Sequence, residues 1–413
     1  MGKVLILGAG GVAQVTAVKC AMQPETFKEI VIASRTLSKC ENIARIAEEK
    51  IGQKIRTLEI DVTQEEKLVA LIKDIKPDLV INLVDPYWDL IIMRACLGAG
   101  VNYMDTANYE PVDEARLRYD EQWEMHEEFK KAGLMAVLGC GFDPGVTNAM
   151  TAYGAKHYFK EIQELNILDC NAGNHGYIFA TNFSPEINVR EVTAPARFWK
   201  DGKWQEIEPI ITPEKSRDNY HTAFDYPEIG PKETYLIFHE ELQSLAKNFP
   251  TLKHAAFGMT FGEQYLTHLR VLQNVGMTRI DPVESQGCKI VPVKFLESLL
   301  PDPASLAKNY TGKTNIGCVI KGIGKDDKEK KYYIYNVCDH KECYLEVGSQ
   351  GISYTAGVPP VAGAKMMLEG IWKGEGVFNV EQLDPDPFME ELNKIGLPWV
   401  ELFDKDVPEV GWK

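Results

Sequence analysis

The run Gly8-Ala9-Gly10-Gly11-Val12-Ala13 follows the apolar segment Val4–Leu7 directly and opens a helical pattern that continues through Cys20. The spacing fits G-x-G-x-x-G/A. The first glycine allows a tight strand-to-helix turn and the second lets a pyrophosphate approach the backbone. The small third residue lets helix and strand pack closely, with phosphate at the helix N-terminus. Gly8, Ala9, Gly10, Gly11 and Val12 are therefore cofactor-binding candidates, the bland reading being a glycine turn that only packs.

This motif heads a repeating pattern of short apolar runs and helical segments, which predicts right-handed βαβ units around a parallel sheet. Strands are expected at Val4–Leu7, Ile30–Ala33, Arg56–Ile60, Leu79–Val84, Asn102–Met104 and Leu134–Leu138. Ser38 with Glu41 and Thr63 with Glu66 read as capping boxes, and Gly100 and Gly133 as helix stops. The fold class is α/β: a Rossmann-type doubly wound domain over residues 1–147, followed by an α+β substrate-binding and dimerisation domain over residues 148–355.

The texture changes after Thr147. Phe198-Trp199-Lys200-Asp201-Gly202-Lys203-Trp204 reads as a hairpin, because Asp-Gly suits a type I′ turn. Further strands are expected at Glu164–Asp169, Thr234–Phe238, Gly317–Ile320 and Lys331–Val337. Near Val358-Pro359-Pro360 a helical pattern resumes, and residues 356–413 are expected to pack back on the first domain.

A length of 413 residues favours two domains, and 45% apolar with 25% charged residues is ordinary globular usage. The net charge of −15 comes without a block of clustered Lys and Arg, which argues against nucleic acid and anionic membrane as partners and favours a cationic ligand. Nine scattered cysteines point to reduced thiols. With no leader-like start and no uncharged span, the expected location is cytoplasmic.

Where an NAD site places an acidic residue, after the second strand, this chain has Ser34-Arg35-Thr36. A guanidinium and two hydroxyls suit a 2′-phosphate, so NADP is the expected cofactor; the alternative is that Arg35 only stacks on the adenine. Asp61 and Val62 end the third strand and Val84 the fourth, where such sheets place ligands. Asp85 and Asp105 are either ligand-side residues or helix caps.

Several segments carry a resemblance: Ala33-Ser34-Arg35-Thr36, Tyr103-Met104-Asp105-Thr106, Gly139-Cys140-Gly141-Phe142-Asp143-Pro144-Gly145-Val146, Asp169-Cys170-Asn171-Ala172-Gly173, Thr181-Asn182-Phe183-Ser184-Pro185-Glu186 and Phe238-His239-Glu240-Glu241-Leu242. Through them the chain resembles the saccharopine dehydrogenase/reductase family, in its carboxynorspermidine/carboxyspermidine dehydrogenase branch, over nearly its whole length. The resemblance implies NADPH-dependent reductive condensation of L-aspartate β-semialdehyde with 1,3-diaminopropane or putrescine, and a homodimer through the second domain's sheet. A saccharopine reductase and a homospermidine-synthase-like transferase are the neighbouring readings.

Such chemistry needs a proton shuttle, acids for a distal ammonium and a cation for an α-carboxylate. The resemblance implies Tyr87, Asp105 and Cys140 as cleft residues, with Gly141 beside the cofactor. Asp143 is either catalytic or a helix cap. His239 with Glu240 and Glu241 reads as a proton shuttle and diamine anchor, or as a helix start with solvated acids. Arg190 and Arg197 are candidate carboxylate clamps, or surface salt-bridge partners. Cys338, His340 and Cys343 lack a fourth ligand at metal spacing, so no metal is expected.

Overall fold

The computed structural model describes residues 2–212 and 220–412. Its first layer is a seven-stranded, wholly parallel sheet. Six strands come in order from the N-terminal half: β1 (Lys3–Leu7), β2 (Glu29–Ser34), β3 (Arg56–Glu59), β4 (Leu79–Asn82), β5 (Asn102–Asp105) and β6 (Met135–Leu138). They are arranged β6-β5-β4-β1-β2-β3. Val4, Leu5, Ile6 and Leu7 are fully buried because helices cover both faces, so β1 reads as a continuous apolar run rather than an alternating one.

The seventh strand is Gly376–Asn379, which pairs parallel to β6 from more than two hundred residues away. The same C-terminal stretch then supplies Trp399–Phe403 to the second sheet, antiparallel to Glu329–Asp339. The tail therefore packs on both layers.

Helix α1 (Gly11–Ala21) is buried along nearly its whole length. It lies between the sheet and the helix Gly351–Gly357, where Thr16 Oγ1 donates to the Gly357 carbonyl at 2.8 Å. Gly357 permits that approach, since a Cβ there would press on Val12 and Val15.

The second sheet has nine strands. At its centre β7 (Phe159–Asn171) runs parallel to His254–Thr260 and antiparallel to Lys313–Gly324. The strand is longer than Glu164–Asp169 because its polar ends are covered by neighbouring strands, which local composition does not register. The Asp201-Gly202 turn forms as expected: both residues have positive φ, 49° and 76°, and Trp199 faces Trp204.

Gly100 and Gly133 adopt positive φ at helix ends, as expected. The two capping boxes do not form. The helix Leu37–Ile51 starts before Ser38, with Thr36 at its N-cap. The next, Glu65–Ile75, starts at Gln64, because Asp61 captures the Thr63 amide and hydroxyl and the Gln64 side chain.

Candidate functional site

The carboxyl ends of β1, β2 and β4 open onto a cavity of about 580 Å³, closed on its far side by second-domain residues such as Phe183, Ile187 and Pro301. Gly8, Ala9, Gly10, Gly11, Val12, Ser34, Arg35, Thr36, Val62 and Val84 all line it, as the sequence predicts. The glycines divide the work. Gly8 has φ +114° and a Cβ there would overlap the Leu83 carbonyl, so it serves the turn. Gly10 has no atom within 4 Å of where its Cβ would stand. That open space stands at the N-terminus of α1, which fits a pyrophosphate.

At the adenosine end, Ser34 Oγ accepts from the Thr36 amide at 3.2 Å, shaping the loop that exposes Arg35. Lys39 lines the same end and pairs with Asp302 at 3.4 Å. Arg35, with no acidic residue at the end of β2 itself, fits a 2′-phosphate, and Lys39 adds a second cation that Asp302 partly offsets. Asp61 does not line the cavity; its carboxylate holds the Thr63 turn, and Val62 and Thr63 form the wall instead.

A second cavity, of about 210 Å³, adjoins the first and shares Val12, Pro86, Thr106, Phe183, Ile187 and Ser353 with it. Its charged lining is Asp143, Asp169, Glu191, His239 and Glu240, with no Lys or Arg. His239 Nδ1 faces Glu241 at 2.5 Å and Glu240 at 3.3 Å, while Nε2 lies 3.6 Å from Glu191. These carboxylates hold the imidazole well above its ordinary pKa against the opposing effect of burial. His239, Glu240 and Glu241 are close enough to share an ion, yet they already satisfy one another as an imidazolium among carboxylates.

Burial acts on the acids in the other direction. It raises Asp169 to about 6 and Glu191 to about 8, and lifts Asp143 and Glu240 as well. Asp143 hydrogen-bonds Asp169 and so helps keep the latter charged. Asp169 Oδ1 and Glu191 Oε1 are buried without a hydrogen-bond partner among the described residues. Five carboxyls around one imidazolium, some with open acceptors, make a site in which acids outnumber the single cation.

Asp143 is not a helix cap, since Gly145 holds the N-cap of the helix Val146–His157. Other expected residues stand behind the wall. Asp105 accepts from the Gly139 amide at 2.6 Å, Tyr103 at 2.9 Å and Gln122 at 2.8 Å, pinning the turn after β6 from inside; its neighbour Thr106 is the lining residue. Cys140 is fully buried, with its thiol toward the Pro359 carbonyl and its pKa pushed up by desolvation. Gly141 packs on Thr106 and lines neither cavity.

Tyr87 turns its phenol to Arg190 at 3.0 Å, away from the cofactor cavity that Pro86 and Trp88 line, and burial raises its pKa. Arg190 is itself a strut rather than an open clamp. It pairs with Glu110 at 2.8 Å and Glu186 at 3.3 Å and donates to the Val112 and Pro111 carbonyls. Arg197 stands apart from those partners, beside the Trp204 and Phe238 rings.

The sequence does not single out Lys39, Thr106, Glu191, Ser353 or Asp169 as site residues. Lys39 was within reach of inference, one turn beyond Arg35. The others converge only through tertiary contacts.

The saccharopine dehydrogenase NADP binding domain matches residues 4–137 and the saccharopine dehydrogenase C-terminal domain residues 141–397. Over 99% of both chains, this one is 56% identical to carboxyaminopropylagmatine dehydrogenase from Synechocystis. It is 41% identical to carboxynorspermidine synthase from Vibrio alginolyticus over 96% of both. The fold is that of saccharopine dehydrogenase (L-Glu forming) from Saccharomyces cerevisiae, with TM-score 0.72 and 18% identity over 98% of this chain and all of that one.

Proposed function

The chain belongs to the saccharopine dehydrogenase family and is an NADP-dependent oxidoreductase, and from that premise we propose that it acts in polyamine biosynthesis by joining L-aspartate β-semialdehyde to a primary amine that carries a second cation. The amine adds to the aldehyde, water leaves to give an iminium, and the iminium carbon takes a hydride. In balance, R-NH2, R′-CHO, NADPH and a proton give R-NH-CH2-R′, NADP+ and water. The observation that carries this reading is the cavity lined by carboxylates and one histidine, without Lys or Arg, beside the cofactor cavity.

The name of the 56% relative points to agmatine as the amine, and that of the 41% relative to a norspermidine-forming diamine, 1,3-diaminopropane. Putrescine is the third candidate. Agmatine agrees best with the open carboxylate oxygens of Asp169 and Glu191, since a guanidinium presents several donors in one plane.

NADPH, when bound, supplies the hydride. The carboxylates orient the cationic amine, whose attacking nitrogen must be neutral before it can add to the aldehyde. His239, held as imidazolium by Glu240 and Glu241, donates a proton to the hydroxyl that departs as water. Val12, Phe183 and Ile187 keep the junction of the cavities apolar, which excludes water from the iminium.

A saccharopine reductase would place glutamate, with two carboxylates, against this cluster. A homospermidine-synthase-like transferase would consume no NADPH. Incubation with NADPH, the semialdehyde and each amine, with the product identified by mass, tests the reading. A secondary amine formed one-for-one with NADPH oxidised is the expected result; NADPH oxidation with glutamate alone contradicts it.

A further inference from the structure

A third cavity, of about 350 Å³, opens beside the amine cavity and shares Leu117, Ile187 and Glu191 with it. Ile187 lines this cavity, the amine cavity and the cofactor cavity alike. Glu191 follows one turn later on the same helix, Pro185–Thr193, and forms the partition. The charge of the third cavity differs in kind. Its lining includes Arg190 and Arg197 as well as Glu110, Glu191 and Glu206.

Arg190 is consumed by Glu110, Glu186 and two carbonyls. Arg197 makes no ion pair among the described residues; its guanidinium carbon stands beside the Trp204 and Phe238 rings, 5.2 Å from each, which holds the group in place without engaging its donors. On the acidic side, Glu110 Oε2 is buried on a side chain 2% exposed and lacks a hydrogen-bond partner among the described residues, whereas Glu191 Oε1 faces His239 Nε2 at 3.6 Å.

We propose that this cavity is the subsite for the amino-acid head of the aldehyde substrate, with Arg197 taking the α-carboxylate and the open oxygen of Glu110 taking the α-ammonium. The inference rests on the reaction proposed above and assigns its two substrates to two compartments by charge. A lining in which acids outnumber the one histidine suits a dication, whereas one free guanidinium beside an open carboxylate suits a zwitterion. The reacting ends of both substrates then meet at Ile187, at the mouth of the cofactor cavity.

The test uses the full-length enzyme and two aldehydes: L-aspartate β-semialdehyde, and 3-aminopropanal, the same molecule without its carboxylate. Wild type should favour the first by at least about tenfold in kcat/KM. Arg197→Met should erase that preference to within about twofold, raising KM for the semialdehyde while KM for the amine and NADPH binding stay unchanged; Arg197→Lys should keep part of it. Normal NADPH binding shows that the variants are folded. A preference that survives Arg197→Met, or a loss that falls on the amine's KM, overturns the assignment. If wild type forms no secondary amine from any amine with the semialdehyde, the reaction itself is wrong.

Discussion

Arg35 and Gly10 show what a single residue can be asked to do at the cofactor site. Arg35 is exposed and lines the adenosine end, so Arg35→Ala should cost NADPH about 1.5–3 kcal/mol of binding and leave NADH nearly unchanged. Titration of both cofactors checks this, and equal loss would contradict the phosphate contact. Gly10 has φ −89° and empty space at its Cβ, so Gly10→Val should fold and yet fail to bind NADPH, as circular dichroism and fluorescence titration would reveal. Both positions are legible in sequence as cavity residues because the motif and the end of β2 are local. Asp105 is the opposite case. An acid at the end of a parallel strand reads as ligand-facing, but its oxygens are committed to Gly139, Tyr103 and Gln122. Asp105→Asn sets an amide N–H against those donors and should lower stability by about 1–3 kcal/mol in denaturant unfolding. A loss of activity at unchanged stability would return Asp105 to the chemistry.

The helix Pro185–Thr193 reaches all three cavities, since Ile187 lines each of them and Glu191 lines two. Its sequence announces a helix start at Ser184-Pro185 but not what the helix meets, because the contacts come from the first domain and from the strands around His239. The C-terminal tail is similar. Pro359 and Pro360 announce the helix Pro359–Leu368, whereas nothing local tells that Gly376–Asn379 and Trp399–Phe403 enter two different sheets. Ending the chain at Gly370 would remove an edge strand from each sheet, together with the buried Phe388, Met389 and Leu392. Those three side chains alone represent roughly 5–9 kcal/mol of burial, a large part of typical domain stability, so the truncated chain should not fold cooperatively in a thermal melt.

For the whole molecule, the net charge of −15 foreshadows a cationic ligand in sign, but only the fold gathers Asp143, Asp169, Glu191, Glu240 and Glu241 around His239. Burial holds Asp169 at about 6 and Glu191 at about 8, above ordinary carboxylates near 4, so between roughly pH 4 and 8 the folded protein keeps protons that the unfolded chain has lost. Stability should therefore fall as pH rises through that window. His239 acts in the same direction: its stabilisation is complete below about pH 6.5 and is lost as pH rises through its elevated pKa. A bound dication offsets the cost by pairing with the ionised acids. The gain in Tm from agmatine should then be larger at pH 8.5 than at pH 6, and equal gains would contradict an acidic amine site. The most direct test of the central claim is the ratio of kcat/KM for agmatine to that for butylamine, the same chain without its guanidinium, at fixed NADPH and L-aspartate β-semialdehyde. Loss of the distal cation leaves the carboxylates unpaired, so a ratio of at least about tenfold, roughly 1.4 kcal/mol, is the result expected. Butylamine reacting as well as agmatine, or glutamate outperforming both, would contradict it.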